Sequence, residues 1–210
     1  MKFSKLISYF FHPINFSLIG TLLYFLFVPK YIFIQQKYII LVVLFLSTYI
    51  FPLILLLLMK RFGLIQTYHL TSIEERKFPT ILFISICIFI GQWLLKASIV
   101  NILALYYIGF AWCLIISYIF LYFNKKISLH TAAIGGLIGF LLYFSYYFKI
   151  NIILLLVGFF ILSGIIATAR LELKAHTMIE VVLGYILGIL TQLLVFGIYY
   201  IIIYKTSILS

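Results

Sequence analysis

Seven stretches of the chain, 14–34, 38–59, 80–97, 101–123, 129–148, 151–169 and 179–204, are almost continuously apolar, and only short polar breaks separate them. Crossing the hydrocarbon core of a bilayer takes about 20 apolar residues at helical rise, and each stretch comes near that length. A backbone in lipid meets no water, so its amides and carbonyls must be satisfied within the element, which makes these stretches helices. The sequence therefore predicts an all-α, polytopic transmembrane helical bundle of six or seven spans. The first span carries the count's ambiguity, because Pro29 and Lys30 interrupt its end. Composition leads to the same class: 66% of the 210 residues are hydrophobic and 9% are charged, too few to cover the outside of a soluble domain. Spans and breaks use up the length, so residues 1–210 read as one integral membrane domain.

The net charge of +11 raises nucleic acid as a partner, but the basic residues sit at the ends of apolar runs, where they anchor to headgroups. Membrane lipids are the expected partners, and nucleic acid is not. Cys87 and Cys113 both fall inside apolar stretches, without a CxxC, and read as packing residues. The first twenty residues are basic and then apolar, with no small-x-small cleavage pattern, so they read as an interfacial or membrane-entering segment that is retained.

Counting crossings sorts the breaks by side. The break at 60–79 is two spans from 124–128, which is two spans from 170–178, so all three lie on one face. That face holds Arg61, Arg76 and Arg170, the acids Glu74, Glu75, Glu172 and Glu180, and His69, His130 and His176, with His12 added if the first stretch crosses. The opposite breaks carry Lys but no Arg, His or acid. Simple anchoring would decorate both faces. Histidine and carboxylate are costly near lipid, so their segregation points to a site. The excess of Lys and Arg on that face would make it cytoplasmic by the positive-inside tendency, although several of them are site candidates rather than topogenic charge.

Three clusters carry the chemistry. Around Arg170 the chain reads Ala169-Arg170-Leu171-Glu172-Leu173-Lys174-Ala175-His176-Thr177-Met178-Ile179-Glu180. If the last helix starts near Thr177, His176 and Glu180 share a face one turn apart. A carboxylate holding one ring nitrogen leaves the other bare, as a nucleophile or base requires. The bland alternative is a polar helix start with solvated side chains. The second cluster, Lys125-Lys126-Ile127-Ser128-Leu129-His130, offers Ser128 as an N-cap, helix-start amides suited to an anion, and His130 as a proton donor. The third runs from His69 to Pro79. Here Pro79 suits the first turn of a span, Arg76 supplies a planar fork and Lys77 a point charge for phosphate oxygens, while Glu74 and Glu75 read as loop charge.

The order Arg-x-x-Pro, Ser-x-His and Arg-x5-His-x3-acid resembles the type-2 phosphatidic acid phosphatase superfamily, whose pattern is Lys-x6-Arg-Pro, Pro-Ser-Gly-His and Ser-Arg-x5-His-x3-Asp. The likeness runs from His69 into the last helix and is most specific at Arg170, His176 and Glu180. In the second motif Ser128 and His130 match, while Ile127 and Leu129 replace Pro and Gly. In the first, Arg76 matches, His69 stands at the Lys position and Pro79 comes two residues late. Ala169 replaces the Ser and Glu180 the Asp.

The resemblance implies a phosphatase-like core over about 38–204 and a lipid phosphate or pyrophosphate phosphatase of a bacterial inner membrane. It works through a phosphohistidine, with no metal and no other cofactor. His176 is then the nucleophile, Glu180 its orienting carboxylate and His130 the acid and later base. Arg76, Lys77, Arg170, Ser128 and His69 bind the phosphate. Substrates of this class include polyprenyl pyrophosphate and phosphatidic or phosphatidylglycerol phosphate. The alternatives are an inactive, lipid-binding member of the same fold and a small transporter. A transporter needs ionisable residues near the span centres; here those centres are Leu, Ile, Phe and Tyr. A metal held by His130, His176 and Glu180 is disfavoured by the nearby arginines.

Overall fold

The computed structural model describes residues 2–65 and 72–209. Among them the chain is helix and turn without a strand. The elements are α1 (Lys2–Phe10), α2 (Pro13–Phe27), α3 (Ile34–Phe45), a π-helical turn (Leu46–Ile50), α4 (Phe51–Arg61), α5 (Ile73–Lys96), α6 (Asn101–Tyr122), α7 (Leu129–Phe148), α8 (Ile153–Glu172) and α9 (Met178–Leu209). The α3–π–α4 unit and each of α5 to α9 are long and apolar enough to cross a membrane. The protein is an integral membrane helical bundle.

The N-terminal region differs from the single span expected over 14–34. Helix α2 stops at Phe27, and Pro29 lies in the non-helical stretch that follows. Helix α1, outside that expected span, bends away from α2 by 52°. The break falls at His12-Pro13, because the residue before a proline is pushed out of the α region. Where α2 runs is fixed by its ends. His12, just before it, stands 5.6 Å ring to ring from His130 at the start of α7. Lys30, just after it, lies 5.9 Å from the ring centroid of Phe148, the last residue of α7. Thus α2 runs alongside α7 with α1 at the end where His130 lies, and the six passes become seven if the bent α1–α2 pair is counted as one span.

Two proline positions shape the spans. Pro52 lacks an N–H and its ring crowds the carbonyl four residues back. The π-turn immediately before it takes up this misfit. Pro79 sits inside α5, not in its first turn as the sequence led us to expect. Helix α5 begins earlier because Ser72 and Glu75 form a reciprocal capping box that satisfies two end amides. Arg76 and Lys77 are therefore helical residues rather than loop residues.

At the centre lie α6 and α7, which are buried along most of their length and carry Tyr106, Tyr107, Phe140 and Phe144. Their polar atoms act as links between helices. The Tyr106 hydroxyl donates to the Phe16 carbonyl at 2.7 Å, and Gln192 Nε2 donates to the Tyr106 carbonyl at 3.0 Å. In lipid such bonds hold helices that no hydrophobic force draws together.

The tightest packing joins α7 and α9. Gly135 and Gly139 on α7 lie against Tyr185 and Ile189 of α9, and Gly184 and Gly188 on α9 lie against Ser128 and Ala132 of α7, two small-xxx-small pairs that let the backbones meet. A Cβ on Gly188 would lie 2.1 Å from the Ala132 carbonyl oxygen, and one on Gly135 would lie 2.3 Å from that of Tyr185. Both helices start on the same face, where Ser128 N donates to the Glu180 carbonyl at 3.2 Å and Thr131 Oγ1 donates to the Val181 carbonyl at 2.9 Å. We predict that Gly188→Ala lowers stability by about 1–3 kcal/mol through overpacking. Gly158→Ala, where an added Cβ meets nothing within 4 Å, stays near neutral. Thermal unfolding in detergent measures both, and equal melting temperatures for the two variants would contradict the packing argument.

Candidate functional site

The loop from α8 to α9 is shaped by its own backbone. Lys174 adopts φ 50°, and Ala175 N donates to the Arg170 carbonyl at 3.2 Å, which folds the chain back over the end of α8. Helix α9 then opens with a second capping pair. Glu180 N donates to Thr177 Oγ1 at 3.4 Å, and Thr177 N donates to Glu180 Oε2 at 3.2 Å. The same carboxylate oxygen takes the Nδ1 proton of His176 at 2.7 Å. A carboxylate only accepts, so Nδ1 carries the hydrogen and Nε2 keeps its lone pair. The His176 side chain is 2% exposed, which sets aside a solvated helix start.

The other candidates gather around this pair. Arg76, in the first turn of α5, acts electrostatically on both Glu180 and Arg170, and both arginines act on His176. His130, in the first turn of α7, feels Arg170, His12 and His176. Its Nε2 donates to the Ser8 carbonyl of α1 at 3.1 Å, and a carbonyl only accepts, so the His130 proton is on Nε2. Arg170 donates through one terminal nitrogen to Ser8 Oγ at 3.2 Å, while its buried Nε has no hydrogen-bond partner among the described residues. Ser128 is fully buried at the start of α7, and its Oγ is likewise without a partner among them. It does not cap α7 through its side chain.

One candidate has partners outside this group. Lys77 is paired with Glu74 at 2.7 Å and lies 5.4 Å from the Tyr122 ring centroid. His69 lies outside the described residues. Sequence reasoning missed Ser8 altogether, and only the Ser4/Ser8 spacing of one helical turn on α1 hints at it.

Three helix N-termini, those of α5, α7 and α9, end at this cluster and add their partial positive charge to the two guanidiniums. Glu180 is the acid facing them, so the full charges of Arg76, Arg170 and Glu180 leave a net excess of one positive charge. Among the described residues no three His, Cys, Asp or Glu side chains are grouped closely enough to hold a metal ion. No family model matches the chain, and neither the curated proteins nor the solved structures searched gave a match. The fold and the cluster together define a membrane protein with two imidazoles, two guanidiniums and one carboxylate assembled at one face.

Burial and, after it, the neighbouring charges set the protonation of His176. Burial depresses its pKa most; the hydrogen bond to Glu180 pulls the other way, and the charges of Arg170 and Arg76 add to the depression. Because the native pKa lies below the free imidazole value of about 6.5, His176 stays neutral where an unfolded histidine begins to protonate. The stability linked to this group is therefore present above that value and falls away as the pH drops below it. We predict that 15N-histidine NMR in detergent, assigned with His176→Gln, finds the His176 ring titrating below 6.5. A midpoint at or above 6.5 would contradict the arrangement.

Proposed function

We propose that the protein is a membrane-embedded lipid phosphate or pyrophosphate phosphatase of the type-2 phosphatidic acid phosphatase kind, a divergent bacterial member resident in the inner membrane. The observation that carries the reading is the His176 Nδ1–Glu180 hydrogen bond of 2.7 Å, made within the electrostatic reach of Arg76 and Arg170. Two guanidiniums acting on one such pair favour an anion with several oxygens. A phosphate group supplies these, and the fork geometry of arginine suits it.

The chemistry follows from the nitrogen atoms. His176 Nε2, bare and neutral, attacks phosphorus while Glu180 holds the ring and stabilises the positive charge that develops on it. The P–N bond forms as the bond to the lipid oxygen breaks. His130, taking up a second proton once the negative charge of the phosphate offsets its cationic neighbours, gives its Nε2 proton to that oxygen. In the second half, neutral His130 takes a proton from water as the water oxygen attacks the phosphohistidine, and orthophosphate leaves. Arg76, Arg170 and the helix-start amides bear the equatorial charge in both halves. Ser128 Oγ, buried and without a partner among the described residues, is a further donor for a phosphate oxygen. The lipid tail lies among apolar helices while its head meets the cluster, which suits a polyprenyl or glycerolipid phosphate. Every group that this scheme uses belongs to the chain itself.

The test is hydrolysis of a short-chain lipid phosphate in detergent with EDTA present. The unmodified protein is expected to turn over, and His176→Ala to lose at least a thousandfold while keeping its melting temperature. Turnover that persists in His176→Ala would refute the assignment, and turnover that EDTA abolishes would point to a metal instead.

A further inference from the structure

Helix α1 does something the catalytic scheme leaves unused: it covers the cluster with its serine face. Ser4 is buried, Ser8 is half-buried, and one turn separates them, whereas Phe3, Leu6, Tyr9 and Phe10 point outward with Lys2 and Lys5. This is an inside-out amphipathic helix, sensible only if its outer face meets lipid and its inner face meets polar groups. Those groups are specific. The Ser8 carbonyl takes the His130 Nε2 proton, Ser8 Oγ takes an Arg170 proton, and Ser4 Oγ donates to Glu172.

In the phosphatase scheme these two donors have other duties. His130 Nε2 must face the oxygen that leaves with the lipid, and Arg170 must face a phosphate oxygen. Ser8 therefore presents one oxygen to each donor that a bound substrate would engage. Leaving oxygen and Ser8 carbonyl cannot occupy the same position. Beside the α1–α8 contact lies an open crevice of about 380 Å³ lined by Phe3, Ser4, Gly164, Ile165, Thr168 and Glu172. Helix α1 joins the rest of the chain through the non-helical Phe11-His12 and the 52° bend ahead of Pro13.

We infer that Ser8 marks the leaving-group subsite and that α1 is its lid, displaced when a lipid phosphate brings its bridging oxygen to His130 and a phosphate oxygen to Arg170. This rests on the phosphatase reading and adds to it an order of events: α1 lifts, the lipid moiety enters along the space it vacates, and the donors pass from Ser8 to substrate. A lid that must open reduces apparent affinity by the fraction of molecules that are open.

Weakening the closed state should therefore improve apparent affinity. In the doubly substituted Ser4→Ala/Ser8→Ala protein, each change removes one side-chain hydrogen bond of the closed lid. KM for a short-chain lipid phosphate is expected to fall by about tenfold with kcat not reduced. Unchanged kinetics, or a loss of kcat at constant KM, would overturn the lid, since the serines would then be idle or would serve the reaction directly. A second measurement uses the unmodified protein and orthovanadate, whose five-coordinate adduct on His176 places an apical oxygen beside His130. Hydrogen exchange of the α1 amides is expected to speed up by about tenfold or more when vanadate binds. Vanadate that inhibits hydrolysis while leaving α1 protection unchanged would overturn the lid and leave the phosphatase reading standing. No hydrolysis and no vanadate binding would overturn the reading, and the lid with it.

Discussion

Everything at the cluster depends on how closely α7 and α9 approach. Four glycines along this seam, two on each helix, bring backbone against backbone, with an added Cβ at Gly188 or Gly135 falling about 1 Å inside any tolerable contact. Because both helices start on the same face, this seam puts the first turn of α7 beside the first turn of α9. His130 and Ser128 then meet His176 and Glu180, and two inter-helix bonds, from Ser128 N and Thr131 Oγ1, pin the register. A slide by one turn would move the imidazoles apart by about 5.4 Å. The glycines thus act on function through geometry alone. They touch none of the reacting groups.

On that frame the electrostatics follow. Arg76 and Arg170 arrive from helices that only flank the seam, α5 from its N-terminal end and α8 from its C-terminal end. Bringing two like charges together at the edge of a hydrocarbon layer is unfavourable unless something negative shares the space. Glu180 supplies part of that, and one of its carboxylate oxygens accepts from both His176 and Thr177. The same positive surroundings, with burial, keep His176 unprotonated. A neutral imidazole oriented by a carboxylate and near two guanidiniums has the features that the proposed attack on an anionic electrophile requires. Structure and chemistry meet at this point.

Much of this was legible in the residues. The lengths of the apolar runs predict the helical class, and counting crossings groups the three polar breaks on one face. That grouping matches the way Arg76, His130, Arg170 and His176 come together. The Arg-x5-His-x3-Glu spacing was readable because a helix start fixes what four residues mean. Other features escaped for physical reasons. Pro79 looked like a helix start, but the Ser72–Glu75 capping box begins α5 a full turn and more before it. Lys77 read as a phosphate ligand, and the structure pairs it with Glu74, three residues earlier on the same helix. The paired glycines of α7 and α9 gain their meaning only from each other, across about 50 residues of chain. Ser8 was harder to read, because it meets His130 through a backbone carbonyl, which has no residue type.

The central claim is that the His176 ring becomes covalently phosphorylated. Rapid acid-free quenching of the protein with a 32P-labelled lipid phosphate, followed by peptide mapping, tests it most directly. The account predicts a label that is stable to base, lost in mild acid, and confined to the peptide bearing His176. Label on another residue, or steady turnover with no trapped phosphoprotein even when His130→Ala slows the second half of the reaction, would contradict it.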